Sequence, residues 1–584
     1  MQTILRYVKP YVLRICGNLF VKFTGTIMDL FLPWILAYMI DNVVPQKQVS
    51  LIVFWGAMMI LCSFLGVTAS VGANRMASAA ARDVARTMRH DLFAKISYLS
   101  CAQIDNVSVP SLIARLSSDT YNVHRMVSSI QRIGVRAPIL MLGGILMTFT
   151  LDPSLTLVLL GILPFAFLVI FLVSSRGIPL YTKLQGAVDS MIRVVRENAT
   201  GIRIIKALSK GEYEKQRFAE ANNDVTDREW KANLIMAITN PVMSIFLNLG
   251  LVVVIAAGAY RVNSGLTQPG VIIAFLSYFT IILNATLSIT RMFVMLSRGS
   301  ASGDRIGEIL AMPEDIKITE RDHADSPYHI SFDNVSFSYH PIPGQEPLIG
   351  NISFNLKKGE TLGILGETGC GKSTLIQLLL RFYDPLSGCI RIDGDDIRSI
   401  KPEELYTKFG IVFQKDVLFA DTIKENISFG RDLGEEDFRR AVRCAQADEF
   451  IRSLEEGLDY NLSSRGTNLS GGQRQRLLIA RALASRSRAP EILILDDSSS
   501  ALDYRTDALL RRGLREEYRD STIIVIAQRI SSVMYGDHIL VLEKGRITGY
   551  GSHEELMESC FLYQEIHQSQ MGRTSDPRRL ARAG

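Results

Sequence analysis

Six stretches in the first three hundred residues are apolar over lengths close to that of a bilayer-spanning helix. Nothing else in the 584-residue sequence restricts its folding as strongly. They lie at roughly 18–44, 51–73, 136–151, 154–176, 238–261 and 270–296, and a spanning helix needs about 20 mostly apolar residues. Windows such as SLTLVLLGILPFAFLVIFLVSS leave no polar face for water, which argues against a soluble helical domain with an unusually greasy core. The third window is short, and Arg136 at its start predicts a helix that begins in water. Overall composition does not decide the class: the apolar share of 47 % is close to average. Its uneven distribution does, and the later residues read as a mixed soluble domain.

Two polar segments of about sixty residues with helical periodicity separate the second window from the third and the fourth from the fifth. They carry Arg75, Arg82, Arg86, Arg89 and Lys95, and Lys183, Arg193, Arg196, Arg203 and Lys206. The opposite loops hold little beyond Lys47 and Arg261. The positive-inside rule therefore puts both long segments and both chain ends in the cytoplasm. Charges throughout the first fourteen residues argue against a cleavable leader. The net charge of +5 is modest and gives no nucleic-acid footprint. Seven cysteines without CxxC spacing read as unpaired thiols.

Asp29 stands inside the first window, in TIMDLFLPWIL. A carboxylate at membrane depth is costly, so it is expected to face a cavity or a partner group. Two readings stay open: a substrate contact for cationic cargo, and a structural hydrogen bond across the bundle beside the kink at Pro33.

After residue 300 the pattern changes to a polar linker followed by strands in HISFDNVSFSYH and LIGNISFNLKKGETLGILG. GETGCGKST follows an apolar strand and precedes the helical LIQLLLRFY; it comprises Gly366, Glu367, Thr368, Gly369, Cys370, Gly371, Lys372, Ser373 and Thr374. In that context it is a P-loop, whose glycines let backbone N–H groups close around phosphates at a helix N-terminus. Lys372 is expected to reach the β- and γ-phosphates of ATP, and the Ser373 hydroxyl to bind Mg²⁺. ILILDD supplies Asp496 at a strand end as the second metal-site group. In TNLSGGQRQRLLIARAL, Ser470, Gly471, Gly472 and Gln473 open a second helix and offer another phosphate cradle. One chain has a single P-loop, so a second cradle suggests a site shared between two ATPase domains.

With these motifs the chain resembles an ABC exporter half-transporter of the multidrug and lipid-exporter type, over nearly its whole length. The resemblance implies a fold of six transmembrane helices (type I exporter) joined to an α/β P-loop cassette. It implies a membrane domain over 1–310, a linker over 311–328, the cassette over 329–570 and a basic tail over 571–584. It also implies that Tyr339 stacks on adenine, that Gln414 senses Mg²⁺ and signals to the membrane domain, and that SALD, ending at Asp503, crosses a dimer interface. LFADTIKENI, 418–427, matches the export pattern, while 197–218 and a segment near 101–113 match coupling helices. Two such chains would pack their cassettes head to tail in the plasma membrane, each ATP lying between one chain's P-loop and the other's signature. The cargo would be a hydrophobic or amphipathic small molecule, lipid or peptide.

Three residues depart from the family's pattern. Asp497 stands where active members carry glutamate and is shorter by one methylene, roughly 1.5 Å of reach. Gln528 replaces the switch histidine and cannot carry a proton near neutral pH. Ser464 replaces a glutamate before the signature. The first two fall in the site built on this chain's own P-loop, with Asp497, Gln528 and Lys372 as its reacting groups. The expectation is a heterodimer whose partner carries Glu and His at the matching places. The alternatives are a homodimer with two slow sites, and an ATP-gated regulatory subunit or channel. Cys370 is expected to confer thiol sensitivity if it is exposed, and Arg573, Arg578, Arg579 and Arg582 form a solvated tail.

Overall fold

The computed structural model describes residues 1–313, 315–342, 344–485, 489–498 and 500–571, so the tail arginines lie outside the described residues. It divides into two compact units: Met1–Tyr98 with Ser108–Met312, and Leu99–Val107 with the residues from Pro313 onward.

In the first unit the six windows fall on α1 (Val12–Tyr38), α2 (Val49–Ser97), α3 (Arg136–Leu151), α4 (Pro153–Ala207), α5 (Thr239–Asn263) and α6 (Pro269–Leu310). Several run far past their apolar windows. At 1.5 Å per residue the 49 residues of α2 span about 74 Å, more than twice a hydrocarbon core. The reason is a narrow stripe. Ala73, Ala77, Ala80, Ala81, Val84, Met88 and Leu92 are buried at helical spacing among the arginines, so the packed face continues where mean hydropathy falls. Arg136 is the first residue of α3. Asp152 caps α4, accepting from the Ser154 and Leu155 amides at 2.9 and 3.2 Å, and Pro153 opens the helix where a missing N–H costs nothing. Three residues before Pro33, the Leu30 carbonyl accepts from the Tyr278 hydroxyl at 2.5 Å, which ties α6 to α1.

The second unit holds two sheets. A four-stranded antiparallel sheet runs β2 (Ile349–Leu356), β1 (Ile330–Phe337), β4 (Ser387–Ile392), β5 (Asp395–Asp396). A six-stranded sheet runs β10 (Arg546–Gly551), β9 (His538–Glu543), β3 (Thr361–Gly366), β8 (Thr522–Ala527), β7 (Ile492–Asp496), β6 (Phe409–Val412). All its pairings are parallel except β10 with β9. Every residue of β7 is buried, as befits a strand covered on both faces. The register sets Leu365 beside Ala527 and Asp496 beside Ile526. The carboxyl ends of β3, β8 and β7 therefore lie side by side, where open α/β sheets bind their ligands.

Candidate functional site

The end of β3 turns into the P-loop. Gly369 and Gly371 take φ of +87° and +104°, a left-handed backbone that points successive amides inward. At Gly366 a Cβ would sit 2.3 Å from the Leu542 carbonyl oxygen, so the loop's first residue must be glycine. The loop then enters α7 (Lys372–Leu379). Lys372 Nζ donates to the Gly366 and Glu367 carbonyls, both at 2.7 Å, which holds the ammonium over the loop.

One open pocket of about 600 Å³ gathers Lys372, Ser373, Gln414, Asp496, Asp497 and Gln528, with Thr368, Gly369, Gly371 and Thr374 also on its wall. They arrive from four strand ends: Lys372 and Ser373 after β3, Gln414 after β6, the two aspartates at the end of β7, and Gln528 after β8. Ser373 Oγ donates to Asp496 Oδ2 at 3.2 Å. Asp496 is 6 % exposed, and burial pushes its carboxyl above the usual range, with the charge of Asp497 adding to the effect. Ser373, the Gln414 backbone and Lys372 pull the other way. A buried carboxylate beside a serine oxygen is a pair of hard oxygen donors whose burial a cation would relieve. Asp497 is half-buried in the left-handed region at φ +49°, where aspartate is among the better tolerated residues, and its amide donates to Ile526.

Gln528 lies on an exposed loop whose backbone is clasped from the far end of the chain. Gln570 Nε2 donates to the Gln528 carbonyl at 2.8 Å, and its Oε1 accepts from the Ile530 amide at 2.8 Å. No local sequence signal marks Gln570, which sits forty residues away on the helix Phe561–Met571.

The signature residues do not line this pocket. Ser470 caps α8 (Gly471–Leu483), accepting from the Gln473 amide at 3.3 Å, while Gln473 Oε1 accepts from the Ser470 amide at 2.9 Å. This capping box leaves the first turn's remaining amides directed out of the helix. Asp503 caps α9 (Tyr504–Glu517), and its bonds from the Thr506 amide and hydroxyl hold its carboxyl below the usual range. Tyr339 stands beside α7, its hydroxyl donating to Gln377 Oε1 at 2.5 Å and lying 3.2 Å from Thr374 Oγ1, and it lies outside the pocket that holds Lys372. Ser464 is exposed in a short 3₁₀ turn. Cys370 does not meet the condition for thiol sensitivity. It is buried, and burial raises its thiol against the pull of Lys372, because the side chain packs under the loop.

The short helix Cys101–Val107 lies in the same compact unit as the P-loop. Tyr383 donates to Asp105, and Ser100 Oγ donates to Asp315 at 2.5 Å. Next to Tyr383, Phe382 stacks on Phe413 with centroids 6.1 Å apart, and Phe413 precedes Gln414. In the other unit, residues 197–218 form the end of α4, a turn, and the start of the helix Gly211–Ala237. Arg217 joins the two arms through Glu197 and also pairs with Glu214 on its own helix. Asp29 accepts from Arg136 at 3.0 Å, a contact from α1 to α3.

Comparison with known proteins agrees with this geometry. The family described as "ABC transporter transmembrane region" matches residues 15–286, and "ABC transporter" matches 349–500. The chain is 36 % identical over 574 residues to an uncharacterized ABC transporter ATP-binding protein, YfiB, of Bacillus subtilis, covering 98 % of this chain and 99 % of that one. It is 33 % identical over 575 residues to Rv1273c of Mycobacterium tuberculosis, likewise described as an uncharacterized ABC transporter ATP-binding protein, covering 97 % of each. A bacterial Atm1-family ABC exporter with ATP bound superposes with a TM-score of 0.81 at 24 % identity, covering 97 % of this chain and 99 % of that one. Six long apolar helices joined to a P-loop cassette are thus the type I exporter fold.

Proposed function

The chain belongs to the ABC transporter family, and on that premise we propose that it is one half of an exporter whose own ATP site turns over slowly. As a member of that family it is an integral membrane ATPase that binds ATP and couples hydrolysis to transport. The finer reading is that two such subunits pair their cassettes head to tail. The P-loop pocket of one then faces Ser470, Gly471, Gly472 and Gln473 of the other, and Asp503 lies near the shared face.

Within the pocket, Lys372 and the loop amides bind the terminal phosphates, while Tyr339, outside it beside α7, is the aromatic proposed to stack on the base. Ser373 and Asp496, with Gln414, would hold Mg²⁺, which would supply charge neutralisation to the nucleotide's phosphates. A water attacking the γ-phosphate needs a carboxylate in place to orient it. Asp497 falls short of that position by about one methylene, and a misplacement of about 1 Å costs on the order of a hundredfold in rate. Gln528 donates a hydrogen bond but carries no charge with which to steady the departing phosphate.

One observation carries the reading: Asp497 and Gln528 line the same pocket as Lys372 and Asp496, so both departures weaken a single site. The signature serves the other site and keeps its capping box. That asymmetry favours a heterodimer, whose partner brings Glu and His, over a homodimer with two slow sites.

ATPase assays on the purified full chain, alone and with its partner, test this. Alone, the chain hydrolyses slowly; Asp497→Glu with Gln528→His raises turnover roughly a hundredfold when a signature faces the site. Fast hydrolysis by the unaltered chain alone refutes the slow-site reading. Ser470→Ala should stop the partner's site, and an unchanged heterodimer rate would count against the shared arrangement. ATP-dependent accumulation of cargo in vesicles separates a pump from a channel, which only dissipates gradients. The cargo is hydrophobic or amphipathic, as befits a cavity among six apolar helices.

A further inference from the structure

The spanning unit contains a cavity whose charge does not match the cationic cargo that Asp29 alone would suggest. It is open, about 940 Å³, and lies among α1, α2, α3, α6 and the helix Thr120–Arg132. Three cations line it: Lys22, Arg132 and Arg136. The acid beside them, Asp29, is already engaged by Arg136 at 3.0 Å. Lys22 is 3 % exposed, and its ammonium meets only neutral oxygens, Ser70 Oγ at 2.9 Å and Asn74 Oδ1 at 3.2 Å. Arg132 has no ion-pair partner among the described residues. With one acid beside three cations, two positive charges are in excess.

A buried ammonium without an anion is costly, more so at membrane depth, where such groups face cavities and mark cargo paths. The opposite wall of the cavity is polar along one stripe. Thr280, Asn284 and Ser288 recur every four residues on α6 and so share a face. Leu140 and Ile281 add apolar wall beside the charged groups. One turn before Lys22, the buried Asn18 donates to Gln131 at 3.0 Å. Lys22 lies near the cytoplasmic start of the first apolar window and Arg136 at the start of the third, so the cavity sits at the level of the cytoplasmic leaflet. Basic pockets between spanning helices at that level receive anionic headgroups.

We propose that this cavity is the entry site for an anionic amphiphile, a carboxylate or phosphate headgroup on an apolar tail, with Lys22 and Arg132 as its charge receptors and Asp29 as a positioning residue for Arg136. The assignment rests on the exporter reading for its role as cargo site, but the binding chemistry does not. Deprotonated headgroup oxygens replace Ser70 and Asn74 as acceptors for Lys22 and give Arg132 a counter-ion. The tail runs along Leu140 and Ile281.

The test is equilibrium binding to the purified full-length chain in nanodiscs of phosphatidylcholine, with dodecyl phosphate, oleate, dodecyltrimethylammonium and inorganic phosphate as probes. Dodecyl phosphate and oleate should bind and compete with one another, and dodecyltrimethylammonium should do neither. Arg132→Gln, at an exposed position, and Lys22→Gln should each weaken dodecyl phosphate at least tenfold, and Lys22→Arg should recover most of that loss. ATP affinity, measured on the same samples, should stay unchanged and so reports an intact fold. If Lys22→Gln loses ATP affinity through misfolding, Arg132→Gln decides the matter alone. Equal binding of the cationic amphiphile, or unaltered dodecyl phosphate affinity in Arg132→Gln, overturns the proposal. Displacement of dodecyl phosphate by inorganic phosphate at equal concentration overturns the amphiphile assignment. None of these measurements needs a partner or flux, so their failure leaves the exporter reading standing. Retained binding without ATP-driven accumulation in vesicles would sink that reading instead.

Discussion

Replacing Gln570 should loosen the loop that carries Gln528 without replacing any residue of the pocket. The Gln570 carboxamide spans that loop's backbone, donating to the Gln528 carbonyl and accepting from the Ile530 amide, each at 2.8 Å. Ile530 is fully buried and opens the short helix Ile530–Val533, so its amide has no partner within that helix. Gln570→Ala removes both bonds. At about 1 kcal/mol net for each, the ordered loop loses about 2 kcal/mol, a factor of roughly 30 in local opening. Gln570→Glu keeps an acceptor for Ile530 but sets a carboxylate against the Gln528 carbonyl, so it should also lose protection, by about fivefold from the missing bond alone. Hydrogen exchange followed by mass spectrometry on the full chain reads this directly in the peptide covering 528–533, because exchange from the native state tracks local opening. The expected result is faster exchange there, with peptides from β3 and β7 unchanged. Unaltered protection of Ile530 in Gln570→Ala would refute the clasp. Uniform acceleration across the sheet would show that Gln570 supports the whole domain and not this loop.

Three further outcomes follow from buried groups in the same unit. Arg381, 2 % exposed, donates to the Lys317, Ile397 and Arg398 carbonyls at 2.7, 3.3 and 3.0 Å and pairs with Asp384 at 3.0 Å; Arg381→Ala should cost about 3–5 kcal/mol, seen as a lower Tm. His329 is buried, with Nδ1 2.7 Å from Thr522 Oγ1, and burial lowers its pKa despite Asp393 and Glu491 nearby, with Lys358 and Lys408 adding to the lowering. The unfolded state therefore takes up a proton first, and the domain should be most stable above about pH 6.5 and lose stability as pH falls through the lowered value; His329→Asn should flatten that acid limb of a Tm–pH profile. Finally, Cys370 should react with maleimide far more slowly in the folded protein than in denaturant, because burial raises its thiol; equal rates would place it on the surface.

The parts legible in the sequence were those whose physics is local. Arg136 marked the first residue of α3, since a charge beside an apolar run must sit at the water boundary. GETGCGKST between a strand and a helix fixed the loop, because left-handed glycines and a helix N-terminus leave few other structures for that spacing. Hydropathy windows found the cores of α2 and α4 but not their ends: an alanine stripe among arginines averages to a polar segment while still packing one face. Partners distant in sequence were not legible at all. Asp29 announced a costly carboxylate, yet Arg136 lies 107 residues away, and only the packing of α1 on α3 brings them together. The motif placed Cys370 in the loop but not the direction of its thiol, which depends on what the sheet packs beneath it. The two acids of ILILDD read alike, and the structure separates them: Asp496 buried against Ser373, Asp497 half-exposed in the left-handed turn.

A slow site retains a role in the proposed cycle because the residues that weaken it are not the ones that would transmit its occupancy. Asp497 and Gln528, proposed to bear on bond cleavage, stand at the ends of β7 and β8. Gln414 follows β6 and is joined through Phe413 and Phe382 to the strip where Tyr383 donates to Asp105 on the helix Cys101–Val107. A ligand biases a conformational equilibrium by binding one state more tightly, and it does so without being cleaved. On that proposal ATP held by Lys372, Ser373 and Asp496 would favour a closed pair of cassettes for as long as it stayed bound, and slower cleavage would prolong that bias. The partner's faster site would then set the pace of reopening, with this chain's site keeping the cassettes near one another between turnovers. On this reading Asp497→Glu with Gln528→His does more than add a second active site. It removes the slower clock, so cassette separation should become more frequent and cargo moved per ATP should fall, even as total hydrolysis rises.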